Sequence, residues 1–275
     1  MWGFFQRTAP SVFTSELQTE FGLDAGGVGT LASMYFYAYA IVQIPCGVAL
    51  DTYGPLKSLC LSSLGAVAGS LLFALSPSLG GVFLGRFLIG GFVGVGWLAV
   101  LKILTTDSHF RRRQQMLSGT TMMLGMAGGA LGQGPLALVI KENGWRMSMA
   151  TATIVPLVCF VCVIVVLQLR TTPSRKKELE EVPSPTPDLK PPGVIEQLAI
   201  VSRVRTNFFL AIYSVFAFVP LLAFASLWSV PFIVRVGEVD QAAAGVMASF
   251  FLFGLGLGAP SSGAISDRFK GRKRT

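Results

Sequence analysis

Charge is scarce in this chain and distributed unevenly. Charged residues make up 13% of the 275 positions, about half of what a soluble globular chain carries. None of the 14 carboxylates falls within an apolar run, so no run contains an obvious proton carrier. The single histidine, His109, lies in a polar loop. The four cysteines, Cys46, Cys60, Cys159 and Cys162, all sit in apolar runs. Cys159 and Cys162 have redox or metal spacing, but their neighbours are Leu, Val, Phe and Ile, with no His or basic partner, so they read as packing residues. No glycine loop ending in Lys-Ser/Thr is present, which removes ATP-driven chemistry. No nucleophile–base pair occurs in the apolar runs, which argues against an intramembrane enzyme. No cofactor or metal site is expected, and no cleavable signal peptide is evident.

What is abundant is apolar sequence. Hydrophobic residues are 52% of the chain and mean hydropathy is +0.63. Several runs reach the roughly 20 residues needed to cross a bilayer. Spans are expected at about 29–50, 58–75, 81–104, 116–140, 147–169, 208–234 and 242–265. Before them comes about half a span, with Arg7 inside it and apolar character fading by Glu16. This is an all-α polytopic membrane protein of about eight spans, because lipid leaves an open chain no other way to satisfy its backbone. The division is a first six-helix bundle at 1–169, a cytoplasmic linker at 170–207 and the first two helices of a second bundle at 208–275. The linker carries Pro183-Ser184-Pro185-Thr186-Pro187 and a short amphipathic helix near 194–204.

The net charge of +8 could suggest nucleic acid, but its placement argues against that. Sixteen of the 22 basic residues fall in loops on one side, including Arg111-Arg112-Arg113 and Arg175-Lys176-Lys177, whereas Lys141, Arg146 and Arg235 fall on the other. That is the positive-inside asymmetry, which puts the linker in the cytoplasm and leaves the bilayer, not nucleic acid, as the partner of the charge. Compact loops point to a cell (inner or plasma) membrane.

One motif occurs twice. Gly47-Val48-Ala49-Leu50-Asp51 is followed by Gly54 and Lys57, and Gly263-Ala264-Ile265-Ser266-Asp267-Arg268 is followed by Gly271 and Arg272. Each copy ends a long apolar run, as in a duplicated helical bundle. Span 4 carries Gly85-Arg86 and then Gly90, Gly91 and Gly94; span 5 carries Gly125, Gly128, Gly129, Gly132, Gln133, Gly134 and Pro135; Gly144-Trp145-Arg146 precedes span 6. With these motifs in this order, the whole chain resembles the major facilitator superfamily, closest to its organic-anion and organophosphate branches. Thr52 stands where the family pattern has Arg, and Pro55 is a further departure. The resemblance implies a twelve-span fold, of which this chain reads as a fragment. It also implies a cytoplasmic latch between bundles, assigned to Gly47, Asp51, Gly54, Lys57, Gly263, Asp267 and Arg268. The small-xxx-small pairs Gly90/Gly94, Gly125/Gly129, Gly128/Gly132 and Gly254/Gly258, with Pro135, read as close helix packing.

Intramembrane charge guides the search for a substrate site. Arg7, Arg86 and Lys102 are the cations within spans, and no internal acid answers them, so an anionic substrate is the natural partner. A guanidinium offers forked donors to carboxylate or phosphate. Arg7 is the first choice, and the resemblance places a substrate-binding arginine at this point of the first helix. Positions 86, 90, 93 and 97 share a helical face, so Arg86 and Trp97 line one surface, with Lys102 about 160° around. Tyr35, Tyr39 and Gln43 form a stripe at i, i+4, i+8, and Gln133 completes the substrate-binding candidates. The expectation is a monomeric secondary transporter, symporter or antiporter, of a small organic anion, working by alternating access. The alternative is a non-transporting membrane sensor, or a truncated inactive transporter, on the same scaffold.

Overall fold

The computed structural model describes residues 1–106, 114–170 and 203–269, and among them all regular elements are helical. The first segment is broken into α1 (Trp2–Thr8), a 3-10 turn (Ala9–Val12) and α2 (Thr14–Phe21). Pro10 explains the break, since its ring removes an amide donor and crowds the preceding turn. The polar positions after Glu16 remain helical, so the helical segment runs past the apolar half-span read from the sequence. Gly22, at φ 63°, ends α2. Asp24 then accepts a hydrogen bond from the Gly27 amide at 2.7 Å and starts α3 (Ala25–Tyr53). Gly54, at φ 80°, and Pro55 turn the chain into α4 (Pro55–Leu75), the proline supplying a helix start that needs no amide donor.

The chain continues through α5 (Leu79–Thr106), α6 (Gln114–Leu131), α7 (Gly134–Ala152) and α8 (Ile154–Arg170). After the linker come α9 (Arg205–Ala223), a π-helical turn (Phe224–Trp228), α10 (Ser229–Gly237) and α11 (Gln241–Phe269). Six helical stretches of the described residues are long and apolar enough to cross a membrane. One of them, Met116–Gln168, has 53 residues, roughly 80 Å of helix against a hydrocarbon core of about 30 Å. Gly144, at φ 74° and ψ 162°, interrupts it, so it makes two crossings. With the broken first segment, this agrees with eight spans. Nearly all of the expected linker, including most of its amphipathic helix, lies outside the described residues, as does His109.

The first segment is the centre of the packing. Gln6, Thr8 to Phe13 and Leu17 are all buried. It seats on the glycine face of α6. A Cβ at Gly128 would collide with the Met1 carbonyl, and one at Gly132 would stand 2.6 Å from the Thr8 hydroxyl. At Gly125 the Phe4 ring lies 2.8 Å from the same position, and at Gly129 the Leu252 side chain lies at 3.1 Å. Gly90 admits the Tyr35 backbone, whereas Gly94 has only ordinary contact with the Tyr39 ring at 3.4 Å. A Cβ at Gly254 or Gly258 would meet nothing within 4 Å among the described residues, and both glycines line a cavity.

Candidate functional site

That cavity has a volume of ≈ 730 Å³ and lies between α1, α6, the end of α9 with its π turn, and α11. Phe4, Thr8, Met126, Leu222 and Leu255 are among its walls, and Arg7 is the charged residue in its described lining. Arg7 stands on the last turn of α1, just before the Pro10 break. Its Nε donates to Tyr35 Oη at 3.3 Å. Four rings surround the guanidinium, with centroids at 4.9 Å for Phe4, 5.6 Å for Tyr35, 6.0 Å for Phe36 and 4.9 Å for Tyr39. Aromatic faces stabilise a cation without neutralising it. Among the described residues no carboxylate forms an ion pair with Arg7 or Arg86.

Tyr35 is fully buried, stacks on Tyr39 at 6.2 Å and donates to the Gly3 carbonyl at 3.2 Å. The period-4 stripe of α3 thus supports Arg7 from behind. Gln43, two turns beyond Tyr35, does not line the cavity and lies 3.9 Å from the Cβ position of Gly94. Arg86 is also fully buried, inside the bundle and outside the cavity lining. Its Nη1 donates to Gln6 Oε1 at 3.4 Å, and Gln6 Nε2 donates to Ser70 Oγ at 3.4 Å. Arg86 Nε and Nη2 have no partner among the described residues, and the Tyr35 ring lies 5.2 Å from its guanidinium carbon. Two uncompensated cations therefore share one tyrosine. Trp97 is half-buried on α5 and does not line the cavity.

Lys102 is placed elsewhere than the substrate reading put it. Its Nζ donates to Asp51 Oδ1 and to the Leu50 carbonyl, both at 2.6 Å. It thus ties the end of α5 to the last turns of α3, where a cation also answers the free carbonyls of a helix end. Asp51, read as part of a latch between bundles, makes this described ion pair within the first bundle. Lys57, on the first turn of α4, is exposed. The backbone at Gly263, Asp267 and Arg268 continues α11, and the side chains of Asp267 and Arg268 lie outside the described residues.

Gln133 is fully buried, but as a tie and not as cavity lining. Its Nε2 donates to the Ala225 carbonyl at 2.7 Å, Ser229 Oγ at 3.1 Å and Ser11 Oγ at 3.3 Å. Pro135 stands just beyond it, at the start of α7.

The sequence motif Gly144-Trp145-Arg146, read only as part of the resemblance, builds a knot on one face of the bundle. Arg146 donates to Glu20 Oε1 from Nε at 2.9 Å and from Nη2 at 2.6 Å, and from Nη1 to the Ala74 and Ser76 carbonyls at 2.8 and 2.7 Å. Trp145 Nε1 donates to Glu20 Oε2 at 2.9 Å, and its ring stacks on Phe13 at 5.5 Å. Burial alone would raise the Glu20 carboxyl, but the hydrogen bonds from Arg146 and Trp145 and the Arg146 charge outweigh it and hold the group below its ordinary value. The usable sequence signal was the Gly144-Trp145-Arg146 motif itself. Also on that face, Lys141 lies 3.6 Å from Asp240, and Ser15 donates to Gln241 at 3.2 Å.

Residues 3–275 match the Major Facilitator Superfamily. The chain is 40% identical over 52 residues to the probable L-galactonate transporter of Escherichia coli (strain K12), covering 19% of this chain and 12% of that protein. It is 31% identical over 134 residues to D-xylose-proton symporter-like 2 of Arabidopsis thaliana, covering 48% and 26%. Against the uncharacterized transporter YybO of Bacillus subtilis (strain 168) it is 36% identical over 90 residues, covering 32% and 20%. The chain therefore spans between 12% and 26% of the length of these relatives.

Proposed function

The chain belongs to the major facilitator superfamily, and on that premise we propose that it is a secondary transporter of a small organic anion, working by alternating access. The observation that carries this reading is Arg7: a cation on the wall of a cavity between the two helical groups, boxed by rings and without a described acid. A carboxylate or phosphate entering the cavity would supply the missing countercharge and accept forked hydrogen bonds. Alternating access is supported by the seam between the groups. Gln133, Gln241 and Asp240 tie it on the outer side, and the cavity lies inward of those ties.

The names of the relatives divide on substrate. L-galactonate is an anion, whereas D-xylose is neutral; the Arg7 cavity favours the anion. The test is equilibrium binding of L-galactonate and D-xylose to the purified chain. L-Galactonate binds and D-xylose does not, and Arg7→Gln weakens L-galactonate by about 100-fold, the scale of a lost charge-assisted, bidentate contact. Unchanged affinity in Arg7→Gln would sink the assignment. Anion binding without flux in vesicles would favour the sensor on the same scaffold.

A further inference from the structure

Three helical segments lose regular geometry around one point, and one side chain touches all three breaks. The first is the 3-10 turn Ala9–Val12. The second is the junction of α6 and α7, where Gln133 has φ −114° and ψ −73°, and where Pro135 cannot donate to the Leu131 carbonyl. The third is the π turn Phe224–Trp228, in which the Ser229 amide reaches back to Phe224. It thereby passes over the Ala225 carbonyl, its partner in a regular α-helix. That carbonyl accepts side-chain donors: Gln133 Nε2 at 2.7 Å and Ser229 Oγ at 3.1 Å. Ser11, from the first break, accepts from the same amide. A fourth helix lies against this point, since a Cβ at Gly245 of α11 would stand 2.9 Å from the Gln133 carbonyl oxygen.

We infer that Gln133 is the releasable pin of the outer gate: a positioning residue that holds the second helical group against the first above the Arg7 cavity. The inference rests on the alternating-access reading. The position suits a pin because Thr8, whose carbonyl accepts from the partner Ser11, and Ala225, whose carbonyl is itself a partner of Gln133, line the cavity directly below. A solute that shifts Thr8 or the π turn therefore moves the acceptors of the pin. The release is not prohibitive, because Gln133 Oε1 is buried without a partner among the described residues. The tied state is incompletely satisfied, and opening the seam to water hydrates that oxygen together with the Ala225 carbonyl.

The test reads accessibility, not transport. Cys46, Cys60, Cys159 and Cys162 are replaced by Ser, Ser226→Cys is placed on the cavity wall, and the full chain is reconstituted in oriented vesicles. A membrane-impermeant sulfonated maleimide is then applied from the outer face. Ser226→Cys alone reacts slowly, and adding Gln133→Leu speeds the reaction by about 10-fold, as expected when a pinned equilibrium shifts toward the open side. Ser11→Ala with Ser229→Ala adds no bulk and removes two of the three partners; it speeds the reaction by about 3-fold. An unchanged rate in that double variant overturns the pin, as does an equal rise from Leu131→Ala on the exposed face of α6. No solute is involved. Absent L-galactonate uptake with a normal thiol response therefore fails the transport reading and leaves the pin standing.

Discussion

At the scale of single residues, the account depends on cations left without acids. Arg7 was legible because a charge in an apolar run is expensive and therefore conspicuous. Tyr35 and Tyr39 were legible because period 4 puts them on one face of a helix. The true neighbours of Lys102 and Gln133 were not, since their partners lie 51 to 122 residues away in the chain and no local pattern encodes such a meeting. Tyr35→Phe isolates the hydroxyl that orients Arg7 while keeping the ring. It should weaken L-galactonate binding by roughly 5- to 10-fold, the worth of one hydrogen bond, with little loss of thermal stability. A Tyr35→Phe protein that binds as tightly as the parent would mean that the rings alone hold Arg7 in place.

At the scale of elements, hydropathy revealed the spans but not their breaks. Long apolar runs are dictated by bilayer thickness, and their limits came within a few residues for most helices. The 3-10 turn had a signal in Pro10. The π turn had none, because Phe224-Ala225-Ser226-Leu227-Trp228 is unremarkable apolar sequence. The joint between the first segment, α4 and α7 is held by Glu20 and Arg146, and its pH dependence has a definite sign. The Glu20 carboxyl lies below its ordinary value of 4.5 in the folded chain. Its contribution is therefore complete above that value and is lost as pH falls through the lower folded value. Because the pair is partly exposed, it is worth at most about 1 kcal/mol. Glu20→Gln should lower the melting temperature by a few degrees at pH 7, and the gap should shrink as pH falls progressively below 4.5. A gap that does not shrink over that descent would mean that packing of the side chain, not its charge, holds the joint.

At the scale of the whole molecule, the tie between Asp51 and Lys102 joins helices within the first group, whereas the ties at Gln133, Gln241 and Asp240 join the two groups. The repeated motif made a duplicated fold legible, but which ties lie within a group and which cross the seam emerges only in three dimensions. Lys102→Met should accordingly loosen the joined ends of α3 and α5, seen as faster hydrogen exchange in residues 47–54, and leave the thiol accessibility of Ser226→Cys unchanged. A rise in outer-face accessibility would place that tie in the gate. The most direct measurement of the central claim is uptake of labelled L-galactonate and labelled D-xylose into proteoliposomes by the parent chain and by Arg7→Gln. The account predicts saturable L-galactonate uptake that Arg7→Gln abolishes, with D-xylose at background. Saturable D-xylose uptake indifferent to Arg7 would contradict it.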